Sequence, residues 1–361
     1  MTVTVVGTGN SGCAHAAVLA HKGHAVRLLK SSRALHEDSF KCIEQDRKID
    51  VVDASDGGRT FTAELEMVTR EAEPALAGAD VVIVTIQTTY HEPLAAAIAP
   101  FLSAGTLVIL LPGYLGSMYF KRHLRQPDVV LAEGETDPYN SRLLDDRTVR
   151  LSYLNTRSAL SFLPVAATSR CLATATRLFD TWKYSRGNVL ESALHNPNLI
   201  VHTVGTILSA SRIEHSRGEF WLYAEGFTPA VWKLISRLDD EKNSILEFFG
   251  CPRLNYLDAA KWRNEEDLTR DSLEVFQGFA KSTTKGPRDL GTRYIHEDVP
   301  MGLVLMSSIG REFGIVTPVT DSLVNVAGAL TGVDFWKSGR TLDKLGLAGL
   351  SREAFIAKLT E

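Results

Sequence analysis

The sequence predicts an α/β fold, with a doubly wound parallel sheet in the first half of the chain and an all-helical domain in the second. Short β-branched and apolar runs alternate with helical patterns from the N-terminus onwards, which is typical of parallel strands joined by crossover helices. A glycine-rich turn separates the first strand from the first helix. From about residue 189 the strand pattern fades and long amphipathic helical patterns replace it.

The first half contains the predicted sheet. Its expected strands cover residues 2–6, 25–29, 80–84, 106–111 and 129–133, residues 60–68 alternate like a strand pair, and helical patterns cover 14–19, 75–79 and 92–102. The runs at 80–84 and 106–111 are apolar throughout, as in strands that are buried on both faces. This order of elements predicts a Rossmann domain.

The second half is interpreted as one helical domain. Amphipathic patterns predict helices over residues 189–212, 228–249 and 300–313, and no internal repeat appears. The 361 residues are therefore expected to form a dinucleotide-binding domain of 1–185 and a helical substrate domain of 186–361. The cleft between two such domains is where an active site is expected.

The composition is ordinary for a soluble globular enzyme. Charged residues make up 23% of the chain and the formal net charge is −4, so no excess of positive charge favours a nucleic acid or a membrane surface. The four cysteines are far apart, without metal-ligand or disulfide spacing, and no apolar run approaches the roughly 20 residues of a membrane span. We therefore expect a reduced cytoplasmic protein with no metal.

Residues 7–12 read Gly-Thr-Gly-Asn-Ser-Gly and lie directly between a strand and a helix. In such a turn Gly7 permits the tight bend, Gly9 lets the backbone approach a pyrophosphate, and Gly12 lets helix and strand pack closely. The unpaired amides at the helix N-terminus favour negative charge. The residues expected to hold the pyrophosphate of a nicotinamide dinucleotide are Gly7, Gly9, Asn10, Ser11 and Gly12.

The end of the second strand indicates which dinucleotide is bound. In NAD-binding domains a carboxylate about 20 residues after the turn accepts the ribose hydroxyls, but here the chain reads Lys30, Ser31, Ser32 and Arg33. Cations and hydroxyl groups can hold a 2′-phosphate that a carboxylate would repel. The sequence therefore predicts NADP rather than NAD, and the alternative is that these residues form an ordinary solvated loop.

Further candidate residues follow the two buried strands at their carboxyl ends, where open α/β sheets bind ligands. Thr85 and Gln87 follow the first of these strands, and Pro112 and Gly113 follow the second. They are expected to line the nicotinamide side of the cofactor site, although a turn at the end of the strand would by itself explain the proline and the glycine. His91 is expected near the substrate and is one candidate for the catalytic acid.

The second half offers another histidine. His202 lies in an apolar helical stretch, where a lone histidine is more often a core residue than a catalyst. Asp298 is either its acidic partner or part of a surface pair with Glu297 at a helix start. Asn196 and Asn198 lie one to two helical turns before His202 and could reach substrate or the nicotinamide amide, but asparagines beside Pro197 also fit a helix cap or kink.

Three segments of the second half carry a family resemblance: residues 196–202 (Asn-Pro-Asn-Leu-Ile-Val-His), 223–229 (Tyr-Ala-Glu-Gly-Phe-Thr-Pro) and 292–298 (Thr-Arg-Tyr-Ile-His-Glu-Asp). Residues 134–136 (Gly-Glu-Thr) and the tail at 339–347 add to it. With these motifs the sequence resembles the opine dehydrogenases of bacteria and invertebrates, which include octopine and nopaline synthases. Enzymes of that family reduce the imine formed from a 2-oxo acid and the amino group of an amino acid.

The resemblance implies roles for several residues. It makes His202 the general acid and base, Asp298 its partner, and Arg293 the ligand of a substrate carboxylate. It also implies that Thr136 and Asn198 contact substrate. The implied C-terminal domain is the helical type of 6-phosphogluconate dehydrogenase, and Lys30 is a departure from members that use NAD.

Two other functions stay open from the sequence. Ketopantoate-reductase-like hydroxyacid dehydrogenases share this layout but use a lysine of the helical domain as acid or base, where this chain has a histidine. A cofactor-binding sensor would bind NADP without turnover. The identities of the amine and the 2-oxo acid, the stereochemistry, and the choice between a monomer and a homodimer are not encoded in these motifs.

Overall fold

The computed structural model describes residues 1–32, 35–281 and 283–361. These residues form two compact units. The first unit comprises Met1–Val189 together with Thr360–Glu361, and the second comprises Leu190–Leu359. In the described part of the chain, no helix has the length and apolar character that a membrane crossing requires.

The first unit contains the strands. In chain order they are β1 (Thr2–Val6), β2 (Ala25–Leu29), β3 (Lys48–Asp53), β4 (Arg59–Glu64), β5 (Met67–Thr69), β6 (Val81–Val84), β7 (Leu107–Leu110), β8 (Val130–Gly134), β9 (Tyr139–Leu143), β10 (Thr148–Leu154), β11 (Ala159–Leu163) and β12 (Tyr184–Ser185). Its helices are α1 (Asn10–His21), α2 (Glu37–Asp46), α3 (Ala72–Leu76), α4 (His91–Ile98), α5 (Ser117–His123) and α6 (Thr168–Leu178), with 3-10 turns at Thr88–Tyr90, Ala99–Phe101 and Val165–Ala167.

The main sheet has the strand order β12-β11-β8-β7-β6-β1-β2-β5. Strand β1 pairs in parallel with β2 on one side and with β6 on the other, so the strand order reverses beside β1. Ligands of open α/β sheets bind at such a switch point, outside the carboxyl ends of the strands. The predicted doubly wound parallel sheet is confirmed, with one antiparallel pair, β8 with β11.

Helix α1 is the core helix of the first unit. All its residues from Gly12 to Leu19 are buried, and its small apolar side chains surround the helix instead of forming one stripe. A helix with this pattern is buried on all sides. It contacts β1 and β2 of the main sheet and also a second sheet, of order β4-β3-β10-β9.

This second sheet differs from what the sequence predicts. Residues 60–68 are predicted to form a strand pair, but β4 pairs with β3 in the second sheet and β5 pairs with β2 in the main sheet. Alternation shows that each run has one buried face, but it does not show which strand lies beside it. The pairing of these strands therefore depends on tertiary packing.

The second unit is built from helices. After α7 (Val189–Leu194) they are α8 (Asn198–Leu208), α9 (Ala210–Ser216), α10 (Leu222–Glu225), α11 (Pro229–Phe248), α12 (Tyr256–Asn264), α13 (Ser272–Lys281), α14 (Arg293–His296), α15 (Val304–Phe313), α16 (Pro318–Thr331), α17 (Phe335–Ser338), α18 (Leu342–Leu345) and α19 (Arg352–Thr360). The helix predicted over 189–212 is interrupted before Pro197, because proline disfavours helical geometry in the residue before it. A π-helical turn, Val299–Leu303, precedes α15.

The contact between Gly12 and the glycine turn provides a stability test. A Cβ at residue 12 would lie 1.9 Å from the backbone oxygen of Gly7. We expect Gly12→Ala to lower the free energy of unfolding by roughly 1–3 kcal/mol or more, because backbone must move to admit the methyl group. Differential scanning calorimetry of the variant measures this loss.

Gly278→Ala is the matched control. Gly278 lies within α13, and among the described residues a Cβ at this position would meet no atom within 4 Å beyond the adjoining backbone of its own helix. Alanine should therefore stabilise the helix by about 0.5–1 kcal/mol. Equal stability of the Gly12→Ala variant and the wild type would contradict the close packing of α1 on the turn.

Candidate active site

The glycine turn joins β1 to α1. Gly7 has a φ of +123°, a conformation that favours glycine. Gly9 precedes α1, and among the described residues no side chain caps this helix and no acidic residue stands in its first turn. The amides of that turn therefore suit an anion, and the turn fits the pyrophosphate of a dinucleotide.

The side chains of Asn10 and Ser11 bond to strand β9 and to the residues just before it. The Asn10 Oδ1 atom accepts a hydrogen bond from the Leu143 amide at 2.8 Å, and the Ser11 hydroxyl donates to Asp137 Oδ2 at 2.8 Å. Thr136, which precedes Asp137, is half-buried. A contact of Asn10 or Ser11 with a phosphate would therefore come from the backbone amides.

Lys30 follows β2 as the sequence implies, but its side chain is buried and only 4% exposed. Its ammonium donates to the Leu35 carbonyl and lies 3.5 Å from Thr8 Oγ1 in the glycine turn. Burial lowers the pKa of Lys30, and Glu37 opposes this shift. Ser31 and Ser32 are exposed, and Arg33 lies outside the described residues.

The other predicted residues of the first unit lie at the ends of β6 and β7. The Thr85 hydroxyl donates to the Val6 carbonyl at 3.0 Å, and both Thr85 and Gln87 are half-buried. His91 begins α4 and is completely buried, with its ring against Gly116. These positions follow the carboxyl ends of the strands, as expected from the strand pattern.

The Pro112-Gly113 turn is built around a buried carboxylate. Glu133 accepts hydrogen bonds from the amides of Leu115 and Ser117, both at 2.9 Å. A Cβ at Gly113 would lie 2.0 Å from Glu133 Oε2, so glycine is required there by packing. This contact accounts for the glycine independently of any ligand.

In the second unit, α8 carries His202 in a buried position with 3% exposure. Asn196 lies just before this helix, where its Oδ1 atom accepts a hydrogen bond from the amide of Asn198, 3.0 Å away. Asn198 is half-buried and is the first residue of α8. The sequence alternative of a helix cap therefore applies to Asn196.

His202 and Asp298 form a buried pair. The Nδ1 atom of His202 lies 2.8 Å from Oδ2 of Asp298, and Asp298 is completely buried. The surface pair considered from the sequence is therefore wrong, because Glu297 is also buried, with 2% exposure. A carboxylate bonded to one ring nitrogen fixes the tautomer and the orientation of a histidine ring.

Tyr294 and Arg293 complete this arrangement. The Tyr294 ring stacks on the His202 ring with centroids 3.6 Å apart and an interplanar angle of 11°. The Arg293 guanidinium lies 5.8 Å from the Tyr294 ring centroid and its Nη1 atom lies 3.4 Å from Glu297 Oε2. Because 44% of the Arg293 side chain is exposed, a carboxylate can approach it.

Two residues that lie close to these candidates were not singled out from the sequence. The sequence marks Tyr294 only as part of a motif, and its stacking on His202 depends on the packing of α14 against α8. Arg70 follows β5 and reaches the end of β2, a proximity that depends on the pairing of these strands. The one sequence signal for Arg70 is its place directly after an alternating run.

Known proteins resemble this chain over its full length. The opine dehydrogenase of Arthrobacter sp. (strain 1C) is 34% identical over 360 residues, which cover 97% of this chain and 96% of that protein. The chain belongs to the opine dehydrogenase family. Members of this family are oxidoreductases that act on CH–NH groups. The octopine dehydrogenase of Pecten maximus is 24% identical over 92% of this chain and 94% of its own length.

Two different family models match the two halves of this chain. Residues 185–331 match the model described as NAD/NADP octopine/nopaline dehydrogenase, alpha-helical domain. Residues 3–116 match the model of ketopantoate reductase PanE/ApbA. The helical unit, which carries His202 and Asp298, therefore contains the part that is specific to the family.

Solved structures of related enzymes share the fold. Octopine dehydrogenase in complex with NADH and agmatine has a TM-score of 0.79 and 20% identity, covering 100% of this chain and 98% of the other. Yersinopine dehydrogenase with bound NADP+ has a TM-score of 0.72 and 14% identity, covering 100% and 98%. Both neighbours therefore show that this chain shares their fold.

The His202–Asp298 bond can be tested by stability. We expect Asp298→Ala to lower the free energy of unfolding by about 1–3 kcal/mol, because the buried imidazole loses this acceptor. Asp298→Asn keeps an oxygen that can accept the bond and should lower it less. Urea unfolding of both variants measures the difference, and an alanine variant as stable as the asparagine variant would contradict the bond.

Proposed function

We propose that this protein is an NADPH-dependent opine dehydrogenase that joins a 2-oxo acid to the amino group of an amino acid or a related amine. The observation that supports this most is the buried His202–Asp298 pair in the helical unit, with an exposed arginine close in sequence. The family to which the chain belongs supplies the reaction class.

The reaction consists of a condensation and a reduction. The carbonyl carbon of the 2-oxo acid forms a bond to the amine nitrogen, and one water leaves to give an imine. A nicotinamide dinucleotide, when bound, would supply the hydride that reduces the imine carbon. The nitrogen also needs a proton, so the product is an N-(1-carboxyalkyl) amino acid.

His202 is proposed as the group that handles the protons. Its Nδ1 atom is bonded to Asp298, so Nε2 is the nitrogen that would donate to the departing oxygen or to the imine nitrogen. Asp298 would hold the ring in one tautomer and stabilise its charged form, as carboxylates do in other histidine–acid pairs. The stacked Tyr294 ring would keep the imidazole in this orientation.

The remaining candidate residues are proposed to bind the substrate. Arg293 is proposed to bind a carboxylate of the substrate through the paired donors of its guanidinium. Asn198, Thr136 and His91 are proposed as further substrate contacts. His91 has the weakest support of these three residues as a substrate contact, because its ring is completely buried.

The cofactor would be held by the first unit. Gly7, Gly9, Asn10, Ser11 and Gly12 are proposed to hold its pyrophosphate, and Thr85, Gln87, Pro112 and Gly113 its nicotinamide half. NADP is proposed in preference to NAD because Lys30, Ser31, Ser32 and Arg33 stand where NAD enzymes place a carboxylate.

A coupled substrate test distinguishes this function from its alternatives. NADPH absorbance is followed with pyruvate or another 2-oxo acid, with and without a panel of amino acids. We expect oxidation that requires both substrates. Oxidation with the 2-oxo acid alone would indicate a hydroxyacid dehydrogenase. Residues 3–116, which match the ketopantoate reductase model, are the reason to include this outcome. Binding of NADPH without turnover would indicate a sensor.

Replacement of His202 tests the proposed acid. We expect His202→Ala to lower turnover by roughly 100- to 10,000-fold and to leave NADPH affinity nearly unchanged, as removal of a general acid does. Steady-state kinetics and a fluorescence titration with NADPH measure the two effects. His215→Ala, at a histidine of the same unit on α9, is the control and should retain full activity. Near-normal turnover of the His202 variant would transfer the role to His91.

A further inference from the structure

The position of Lys30 raises the question of which cation recognises a 2′-phosphate. The Lys30 ammonium is directed into the first unit, where it contacts the Leu35 carbonyl and Thr8, and the side chain is only 4% exposed. These contacts link Leu35 to Thr8 of the glycine turn through the Lys30 ammonium. Its charge supports a nearby anion, but its hydrogen bonds are directed to protein oxygen atoms.

Arg70 lies at the same edge of the main sheet. Strand β5 pairs in parallel with β2, with Leu29 opposite Thr69, and the Lys30 amide donates to the Thr69 carbonyl at 3.0 Å. Arg70 therefore leaves the sheet beside Lys30, at the carboxyl ends of both strands. This is the edge at which the adenine ribose lies in dinucleotide-binding sheets.

The Arg70 guanidinium is held in a fixed orientation. One nitrogen, Nη1, donates to the Ser32 carbonyl at 2.9 Å, and Nη2 donates to Glu37 Oε1 at 2.6 Å. Its face lies 4.2 Å from the centroid of the Phe40 ring. The side chain keeps 22% exposure, and within the described part of the chain these bonds use two of the five N–H groups of a guanidinium. Donors therefore remain for the oxygens of a phosphate.

Glu37 reduces the positive charge around Lys30 and Arg70. The Arg70 guanidinium holds the pKa of the Glu37 carboxyl below its usual value, so this carboxylate is ionised at neutral pH. With Lys30 and Arg70 the three groups carry a net charge of about +1. A phosphate on this edge would share Arg70 with Glu37.

We propose that Arg70 is the residue that recognises the 2′-phosphate of NADP, with Lys30 supporting the loop behind it and Glu37 limiting the affinity. This inference rests on the cofactor preference in the proposed function. It places the phosphate contact on the strand next to β2 and on a guanidinium oriented by Ser32, Glu37 and Phe40. A purely structural role for Arg70 would be to anchor Ser32 and Glu37 through these hydrogen bonds.

Two small probes separate these roles without catalysis. Adenosine 2′,5′-bisphosphate carries the 2′-phosphate, and 5′-AMP is the same molecule without it. Isothermal titration calorimetry gives the affinity of the full-length protein for each probe. We expect the wild type to prefer the bisphosphate. Arg70→Gln should reduce bisphosphate affinity about 10- to 100-fold, the loss expected for a charge-assisted contact, and leave 5′-AMP affinity unchanged.

Three further variants sharpen the test. Arg70→Lys should recover part of the preference, because it restores the charge without the paired donors. Glu37→Gln should strengthen bisphosphate binding, since it removes the competing carboxylate. Arg59→Gln, at an arginine of β4 whose side chain is 57% exposed, is the control and should change neither affinity.

Each other outcome overturns the proposal in a recognisable way. Parallel loss of both affinities in Arg70→Gln would assign the arginine a structural role. An unchanged preference in Arg70→Gln, with loss in Arg33→Gln, would transfer the phosphate contact to Arg33. If the wild-type protein shows no preference for the bisphosphate, the NADP assignment is overturned as well. The opine reaction is tested separately, by whether oxidation of NADPH or NADH requires both the 2-oxo acid and the amino acid.

Discussion

The close contact between α1 and the glycine turn is the constraint on which the first unit depends. Gly12 lies so near the Gly7 carbonyl that any side chain would displace the backbone. The same helix is buried on all sides, since it packs against the main sheet and the second sheet. The end of α1 that would hold a phosphate is therefore fixed by the core of the unit, which orients its amides before any ligand arrives.

The second unit depends on a different kind of interaction. His202 and Asp298 are both buried, on α8 and just before the π-helical turn at Val299–Leu303, and each satisfies a polar atom of the other. Removing either partner would leave a polar group without this bond in an apolar environment, which is costly. The pair thus links the orientation of the proposed catalytic ring to the packing of the helices that carry it, with Tyr294 covering one face.

Periodicity predicted much of this fold, because it reports burial along one element. The apolar runs at 80–84 and 106–111 became the central strands β6 and β7, and the glycine turn lies where its spacing predicted. Periodicity does not report the neighbour of an element. The pairing of β4 with β3 and of β5 with β2, and with it the approach of Arg70 to the end of β2, could not be read from alternation.

The sequence by itself determined the sheet class, the glycine turn, the family and the residue types available for catalysis, because these depend on local pattern and on motifs. The tertiary structure decided which side chains meet. It brought His202 to Asp298 across 96 residues, and it directed the Lys30 ammonium inward while the Arg70 side chain stayed partly exposed. Such contacts depend on the packing of elements that are distant in the chain, which no local pattern specifies.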